Sequence, residues 1–163
     1  MRPTFPIGAA ATAARYAGAL ALLAVGVDHI EQYYVDYYRA VPTIGTLFAL
    51  NFVSALVISI GLVLPIGRIA GGRVLTLLAI SGIGIGAATL AGLLISENGG
   101  LFGFMEVGYR GAIVLSIALD VATVVLLGAF LVLRALARQQ PSLAATAALP
   151  TPTHFFPHKE TSR

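Results

Sequence analysis

The chain contains no cysteine, and only 10% of its 163 residues are charged. Disulfides, thiolate metal sites and thiol catalysis are therefore excluded. Soluble domains carry about 25% charged residues, so this chain cannot cover a water-facing surface in the usual way. Its net charge of +3 is small and its basic residues are spread along the sequence. Nothing in it resembles a nucleic-acid-binding patch.

Long apolar segments are abundant: 58% of the residues are hydrophobic and the mean hydropathy is +0.90. A helix that spans a bilayer needs about 20 mostly apolar residues. Four stretches meet this requirement, at about residues 9–30, 44–64, 74–96 and 112–133. We predict an all-α transmembrane four-helix bundle over residues 1–138. The proline-, threonine- and alanine-rich segment 139–163 predicts a flexible cytoplasmic tail.

The first apolar segment could instead be a signal peptide, since Ala24-Val25-Gly26 offers a small-residue cleavage site. Counted from Ala9, however, its apolar stretch is longer than a typical signal-peptide core. We therefore interpret it as a retained helix.

The distribution of charge predicts the orientation of the helices. Basic residues flank the N-terminal side of the first helix, the connection between the second and third, and the end of the fourth; they are Arg2, Arg15, Arg68, Arg73, Arg134 and Arg138. The other two connections are acidic and hold a single arginine each. By the positive-inside rule, both termini are expected in the cytoplasm, and the acidic connections outside the bacterial inner membrane.

The two acidic connections contain most of the polar residues. If the first helix continues past the membrane surface, Asp28, Gln32, Asp36 and Arg39 share a face at spacings of three and four. Glu106 and Arg110, four apart, predict an ion pair; Arg110 reaching Asp36 or Glu31 is the alternative. The candidate outer-face polar site comprises Asp28, His29, Glu31, Asp36, Arg39, Glu106 and Arg110.

The same run offers little evidence for a cofactor. His29 is the only histidine near the membrane, and a bis-histidine haem needs two. His29 and Glu31 diverge by about 200° on a helix, so they make a poor pair of metal ligands. We predict no metal, no cofactor and no catalytic residue, and expect His29 to be a hydrogen-bonded interfacial side chain. The four tyrosines Tyr33, Tyr34, Tyr37 and Tyr38 fit an aromatic belt at headgroup depth.

Asp120 is the residue least suited to lipid. It lies ten positions beyond Arg110, hence about 15 Å deep at 1.5 Å per residue, where a charge costs at least about 2.5–3.5 kcal/mol. Asn51 and Thr89 reach similar depths. We expect a protonated Asp120 to hydrogen-bond Asn51; a proton- or ion-coupled site is the alternative.

Small residues four apart indicate close helix packing in lipid. The third predicted helix offers Gly82, Gly86 and Gly92, and the first offers Gly18. We favour packing within one bundle over a dimer face or a hinge.

Two motifs resemble those of a group of small actinobacterial integral membrane proteins. One is the run from Val41 to Asn51, VPTIGTLFALN, which follows the histidine and the tyrosine-rich turn. The other is Gly100 to Glu106, GLFGFME, followed by an acid in the last helix. The resemblance covers about residues 9–138. It implies the four-helix topology and directs attention to four residues, His29, Asn51, Glu106 and Asp120, but it implies no activity.

The leading hypothesis is a non-catalytic membrane component, a small subunit or accessory factor of an inner-membrane assembly. Its size and the lack of a catalytic constellation favour this. Its partners would be the lipid bilayer and either other membrane proteins or a second copy. The alternative is a transporter or ligand-binding protein with a polar site above Asp120. A membrane enzyme that uses His29 and carboxylates has the least support.

Overall fold

The computed structural model describes residues 7–69, 71–106, 108 and 110–147. Within these residues, four long helices are apolar enough to cross a membrane. They are α1 (Ile7–Val35), α2 (Pro42–Val63), α4 (Gly72–Gly99) and α5 (Gly111–Ala147), with a short α3 (Ile66–Ile69) between α2 and α4. The prediction of an all-α transmembrane four-helix bundle is confirmed. The protein is a multi-pass membrane protein.

All helix ends except the C-terminal end of α2 lie beyond the predicted apolar windows. The largest difference is at the C-terminal end, where α5 continues to Ala147, nine residues into the segment predicted as a tail. Hydropathy reports only the length that matches the bilayer. Up to Gln140 the helix continues beyond it through alanine, leucine, arginine and glutamine, which have high helix propensity. The rest of the predicted tail, from residue 148, lies outside the described residues.

One half of the bundle is tightly packed and apolar. α1 packs mainly against α5 and α2, and α4 packs against α5. Leu22, Leu62 and Leu127 are fully buried between these helices. A Cβ at Gly18 or Gly82 would lie 2.6 Å from the side chain of Leu127. Both glycines therefore serve contacts within the chain.

The other two predicted packing glycines differ from each other. A Cβ at Gly86 would lie 3.1 Å from the carbonyl oxygen of Asp120, so α4 and α5 approach closely at that depth. Among the described residues, a Cβ at Gly92 would meet only Leu101, at 3.7 Å, and Gly92 lines a cavity. The prediction that Gly92 lies at a helix–helix contact is therefore wrong.

The connection from α1 to α2 turns the chain inward. α1 ends at Val35, Tyr37 has a positive φ of 62°, and Tyr38–Ala40 forms a 3₁₀ turn before Pro42 starts α2. Asp36 and Arg39 are therefore not on the helical face predicted for them. α2 passes so close to this turn that a Cβ at Gly45 would lie 2.9 Å from the carbonyl oxygen of Tyr38.

The connection from α4 to α5 folds over the end of the bundle through a two-residue hairpin. Leu101 N–H donates to Phe104 O at 2.6 Å, and Phe104 N–H donates to Leu101 O at 2.9 Å. Phe102 and Gly103 both have positive φ, at 51° and 80°, as in a type I′ turn. Leu101 and Phe104 line the cavity, whereas Phe102 is exposed. We call this end of the bundle the Tyr38 end and the opposite one, with α3, the arginine end.

Candidate functional site

Tyr38 is the centre of a polar cluster at the Tyr38 end. Its hydroxyl donates to the Glu106 carboxylate and accepts from Arg110 Nη2 at 2.9 Å. The guanidinium of Arg110 also contacts Glu106 Oε1 at 3.2 Å and Asp36 Oδ1 at 3.6 Å. The two partners that the sequence offered for Arg110 as alternatives, Glu106 and Asp36, are therefore both used. We call these four residues the Tyr38 cluster.

Aromatic packing and burial hold the Tyr38 side chain in this position. Its ring stacks on Phe48 at 4.6 Å between centroids and meets the edge of Phe104 at 5.5 Å. Only 5% of the residue is exposed. Burial, the hydrogen bond to Glu106 and the charge of Glu106 raise the pKa of Tyr38 well above its usual value. The hydroxyl therefore stays protonated and remains a donor.

The aromatic-belt interpretation is wrong for Tyr38, while Tyr34 and Tyr37 are exposed as a belt requires. The sequence contained a weak signal for this difference. Pro42 starts a new helix, and the residues just before it must turn. Tyr38 lies in that turn and is not constrained to a helical face.

A second polar group joins α1 to α5 through Asp28, Gln32 and Ser116. The Gln32 amide donates to Asp28 Oδ2 at 2.8 Å and to Ser116 Oγ at 2.9 Å. The Ser116 hydroxyl lies 2.5 Å from Asp28 Oδ2. All three residues are buried. Gln32 and Ser116 therefore supply hydrogen bonds to the Asp28 carboxylate inside the bundle. Neither of these two residues was among the predicted site residues.

His29 lies beside this group and is also buried. Its Nδ1 donates to the carbonyl oxygen of Val25 at 2.9 Å, and it lies 4.0 Å from Asp28 Oδ2. Because a carbonyl can only accept, Nδ1 carries the proton and Nε2 of the neutral ring is an acceptor. The ring packs against Phe48 at 4.8 Å.

Asp120 is 1% exposed, and its Oδ1 has no hydrogen-bond partner among the described residues. Among the described residues, Asp120 does not make the predicted hydrogen bond to Asn51. Asn51 Nδ2 instead donates to Thr89 Oγ1 at 3.0 Å, because α2 faces α4 at this depth. The side-chain oxygen of Asn51, Oδ1, is likewise buried without a partner in the described chain.

A cavity of about 580 Å³ connects these groups. Most of its wall is apolar, and its polar lining comes from all four long helices and the two connections. The lining residues Leu50 and Ile95 are 56% and 51% exposed. They lie on α2 and α4, so the cavity opens sideways between these two helices. The polar lining residues are His29, Gln32, Tyr38, Asn51, Ser54, Thr89, Ser96, Glu106, Ser116 and Asp120.

Not all predicted site residues belong to this region. Glu31 and Arg39 are exposed, and the Arg39 guanidinium lies over the rings of Tyr34 and Tyr37, at 5.8 and 5.6 Å. Neither lines the cavity. Within the described part of the chain, no three histidine, cysteine or acidic side chains are grouped so that they could hold a metal ion.

No protein-family model matches the chain, and no curated protein or solved structure does either. The resemblance to small actinobacterial membrane proteins therefore stays a prediction.

Proposed function

We propose that this membrane protein binds a small amphipathic molecule that enters from the lipid between α2 and α4. The observation that carries the proposal is the cavity of about 580 Å³, within the range of about 300–1,000 Å³ typical of small-molecule sites. Its apolar wall suits the body of such a molecule. The buried oxygens of Asp120 and Asn51 that have no partner among the described residues suit its polar group, because buried polar atoms are rarely left unpaired.

The position of the opening supports entry from lipid. Leu47, Leu50 and Ile95 line the cavity and are exposed, on helices that are apolar enough to span the membrane. The Tyr38 cluster and Phe104 lie at the end of the cavity toward the connections. A molecule dissolved in the bilayer would therefore meet the opening directly.

The experiment compares two alanines that are adjacent on α4. Both are exposed, but Ala88 lines the cavity and Ala87 does not. Each is replaced by phenylalanine, and the proteins are purified in dodecyl maltoside and extracted for mass spectrometry of small molecules. We expect a molecule that copurifies with wild type and with Ala87→Phe and is lost from Ala88→Phe. Equal recovery from both variants, or no molecule from wild type, would contradict the proposal.

We infer that the Tyr38 end faces outward from a bacterial plasma membrane. Support comes from four described arginines at the opposite end of the bundle, Arg15, Arg73, Arg134 and Arg138, together with the positive-inside rule. Because the chain has no cysteine, single cysteines report sidedness directly. Phe102→Cys should react with an impermeant maleimide on intact cells, and Arg138→Cys only after lysis. The reverse pattern would overturn the orientation.

A subunit of a larger assembly, the leading hypothesis from sequence, remains a second proposal. The large apolar side chains exposed on the helices would contact lipid or other membrane proteins equally well. Native mass spectrometry of the mildly purified protein tests it. A second chain in fixed stoichiometry would support the subunit hypothesis, and a protein that is detected without any other chain would contradict it.

A further inference from the structure

The hydrogen-bond donors around the cavity are largely used within the protein. The Gln32 amide donates to both Asp28 and Ser116. The Thr89 hydroxyl accepts from Asn51 and donates to the carbonyl oxygen of Ile85 at 3.0 Å. At the Tyr38 end, the Tyr38 hydroxyl donates to Glu106. These groups therefore have little left to donate to a ligand.

The acceptors are in excess. Asp120 and Asn51 line the cavity, and the Oδ1 atom of each is buried without a partner among the described residues. In the neutral ring, His29 Nε2 is a third acceptor, since Nδ1 holds the proton that bonds Val25. A buried acceptor without a donor costs about 1–3 kcal/mol. The arrangement therefore favours a ligand whose polar end donates.

The charge of the cavity points in the same direction. Among its described lining residues there is no lysine or arginine, and the acids are Glu106 and Asp120. Glu106 is already paired with Arg110, but Asp120 has no basic partner in the described chain. A carboxylate removed from water needs a counter-charge or a proton. The rings of Phe48 and Tyr38 line the same space and attract cations.

A metal ion would satisfy the charge but not the geometry. The described residues contain no group of three metal-ligating side chains, and most of the wall is apolar. A single positive charge attached to a hydrocarbon body fits both features.

We propose that the cavity takes an amphipathic amine, whose protonated nitrogen donates to Asp120 and whose apolar body lies between α2 and α4. This inference rests on the proposed function of the cavity and specifies its ligand class.

The test uses two probes with the same apolar cage, 1-adamantylamine and 1-adamantanol. Their affinities for the purified protein in dodecyl maltoside are measured by equilibrium dialysis at pH 7. We expect wild type to bind the amine at least about 10-fold more tightly than the alcohol. Asp120→Asn should remove this preference by weakening only the amine. Glu31→Gln, which removes an exposed carboxylate outside the cavity, should leave both affinities unchanged.

Three outcomes would overturn the ligand class. They are equal affinities of wild type for the two probes, an amine preference that persists in Asp120→Asn, and loss of both probes from a folded Asp120→Asn. Folding of this variant is checked by its helical circular dichroism. Failure of the cavity function itself is separate: it shows as probe binding, or recovery of a copurifying molecule, that Ala88→Phe does not affect.

Discussion

The two ends of the bundle use the same four helices in opposite ways. At the arginine end, large side chains pack onto glycines, and Leu127 fills the space beside Gly18 and Gly82. Toward the Tyr38 end, α4 presents small residues such as Ala88 and Gly92 to a space that α2 does not fill. Small residues therefore close the bundle where a large residue faces them. They leave a cavity where none does.

Polar groups follow the same division. Toward the Tyr38 end they bond to one another across helices, as Gln32 of α1 does with Ser116 of α5. At the arginine end, Arg134 Nη2 donates to the carbonyl oxygen of Gly72 at 2.8 Å, and the ion pairs found among the described residues include no arginine from this end. Stability is therefore expected to come mainly from packing at one end and from hydrogen bonds at the other.

The largest expected effect is on the packed end. In Gly82→Leu the new side chain has no space, because a Cβ alone lies 2.6 Å from Leu127. We expect a loss of at least about 2 kcal/mol of unfolding free energy, since overpacking typically costs 1–3 kcal/mol. The measurement is unfolding by sodium dodecyl sulfate, followed by circular dichroism. Gly84→Leu is the matched control, because a Cβ at Gly84 would meet no described residue within 4 Å. Equal losses in the two variants would show that the loss does not come from the packing of Gly82 against Leu127.

A smaller effect is expected at the hydrogen-bonded end. Tyr38→Phe keeps the ring on Phe48 but removes the hydroxyl that bonds Glu106 and Arg110. A lost hydrogen bond to a charged group costs about 1.5–3 kcal/mol, and the direct contact between Glu106 and Arg110 recovers part of it. We expect a loss of about 1–2 kcal/mol in the same unfolding assay. Unchanged stability would show that the cluster does not hold the two connections together.

The smallest effect is a pH dependence specific to Tyr38. Burial and the Glu106 hydrogen bond raise its pKa above the usual 10.0. The unfolded chain therefore releases this proton at lower pH than the folded one. The stabilisation is fully present below about pH 10 and is lost as pH rises through the folded pKa. Between pH 9 and 11.5, wild type should lose stability more steeply than Tyr38→Phe. Parallel curves would contradict the role of the hydroxyl.

The sequence allowed the helices to be predicted because lipid demands apolar length, and it allowed Asp120 to be placed inward because a charge in lipid is costly. It could not specify the partner of Asn51. That choice depends on which helix α2 faces, and the order of polar and apolar residues in the sequence does not show whether this is α4 or α5. Both α4 and α5 offer a polar residue at this depth, Thr89 and Asp120, and only the packing selects Thr89.

The structure of the two polar connections was harder to predict than the helix contacts. Acidic and basic residues near the surface predicted that an ion pair would form, and Arg110 contacts Glu106 and Asp36. The prediction of a helical face that includes Asp36 and Arg39 was wrong, because the chain leaves the helix before Tyr37, which has a positive φ. Because of this one backbone dihedral angle, Tyr38 lies at the centre of the Tyr38 cluster and is not the membrane anchor that was predicted. Hydropathy and residue spacing contain no information on such an angle.

The sideways opening between Leu50 and Ile95 changes what an affinity means for this protein. A ligand that enters there is in exchange with the bilayer, so occupancy follows its mole fraction among lipids and not its concentration in water. Each added methylene favours partition into the bilayer by about 0.8 kcal/mol, which is about fourfold. Homologous ligands would thus rank by chain length in aqueous titrations even if the extra carbons never touched the cavity wall.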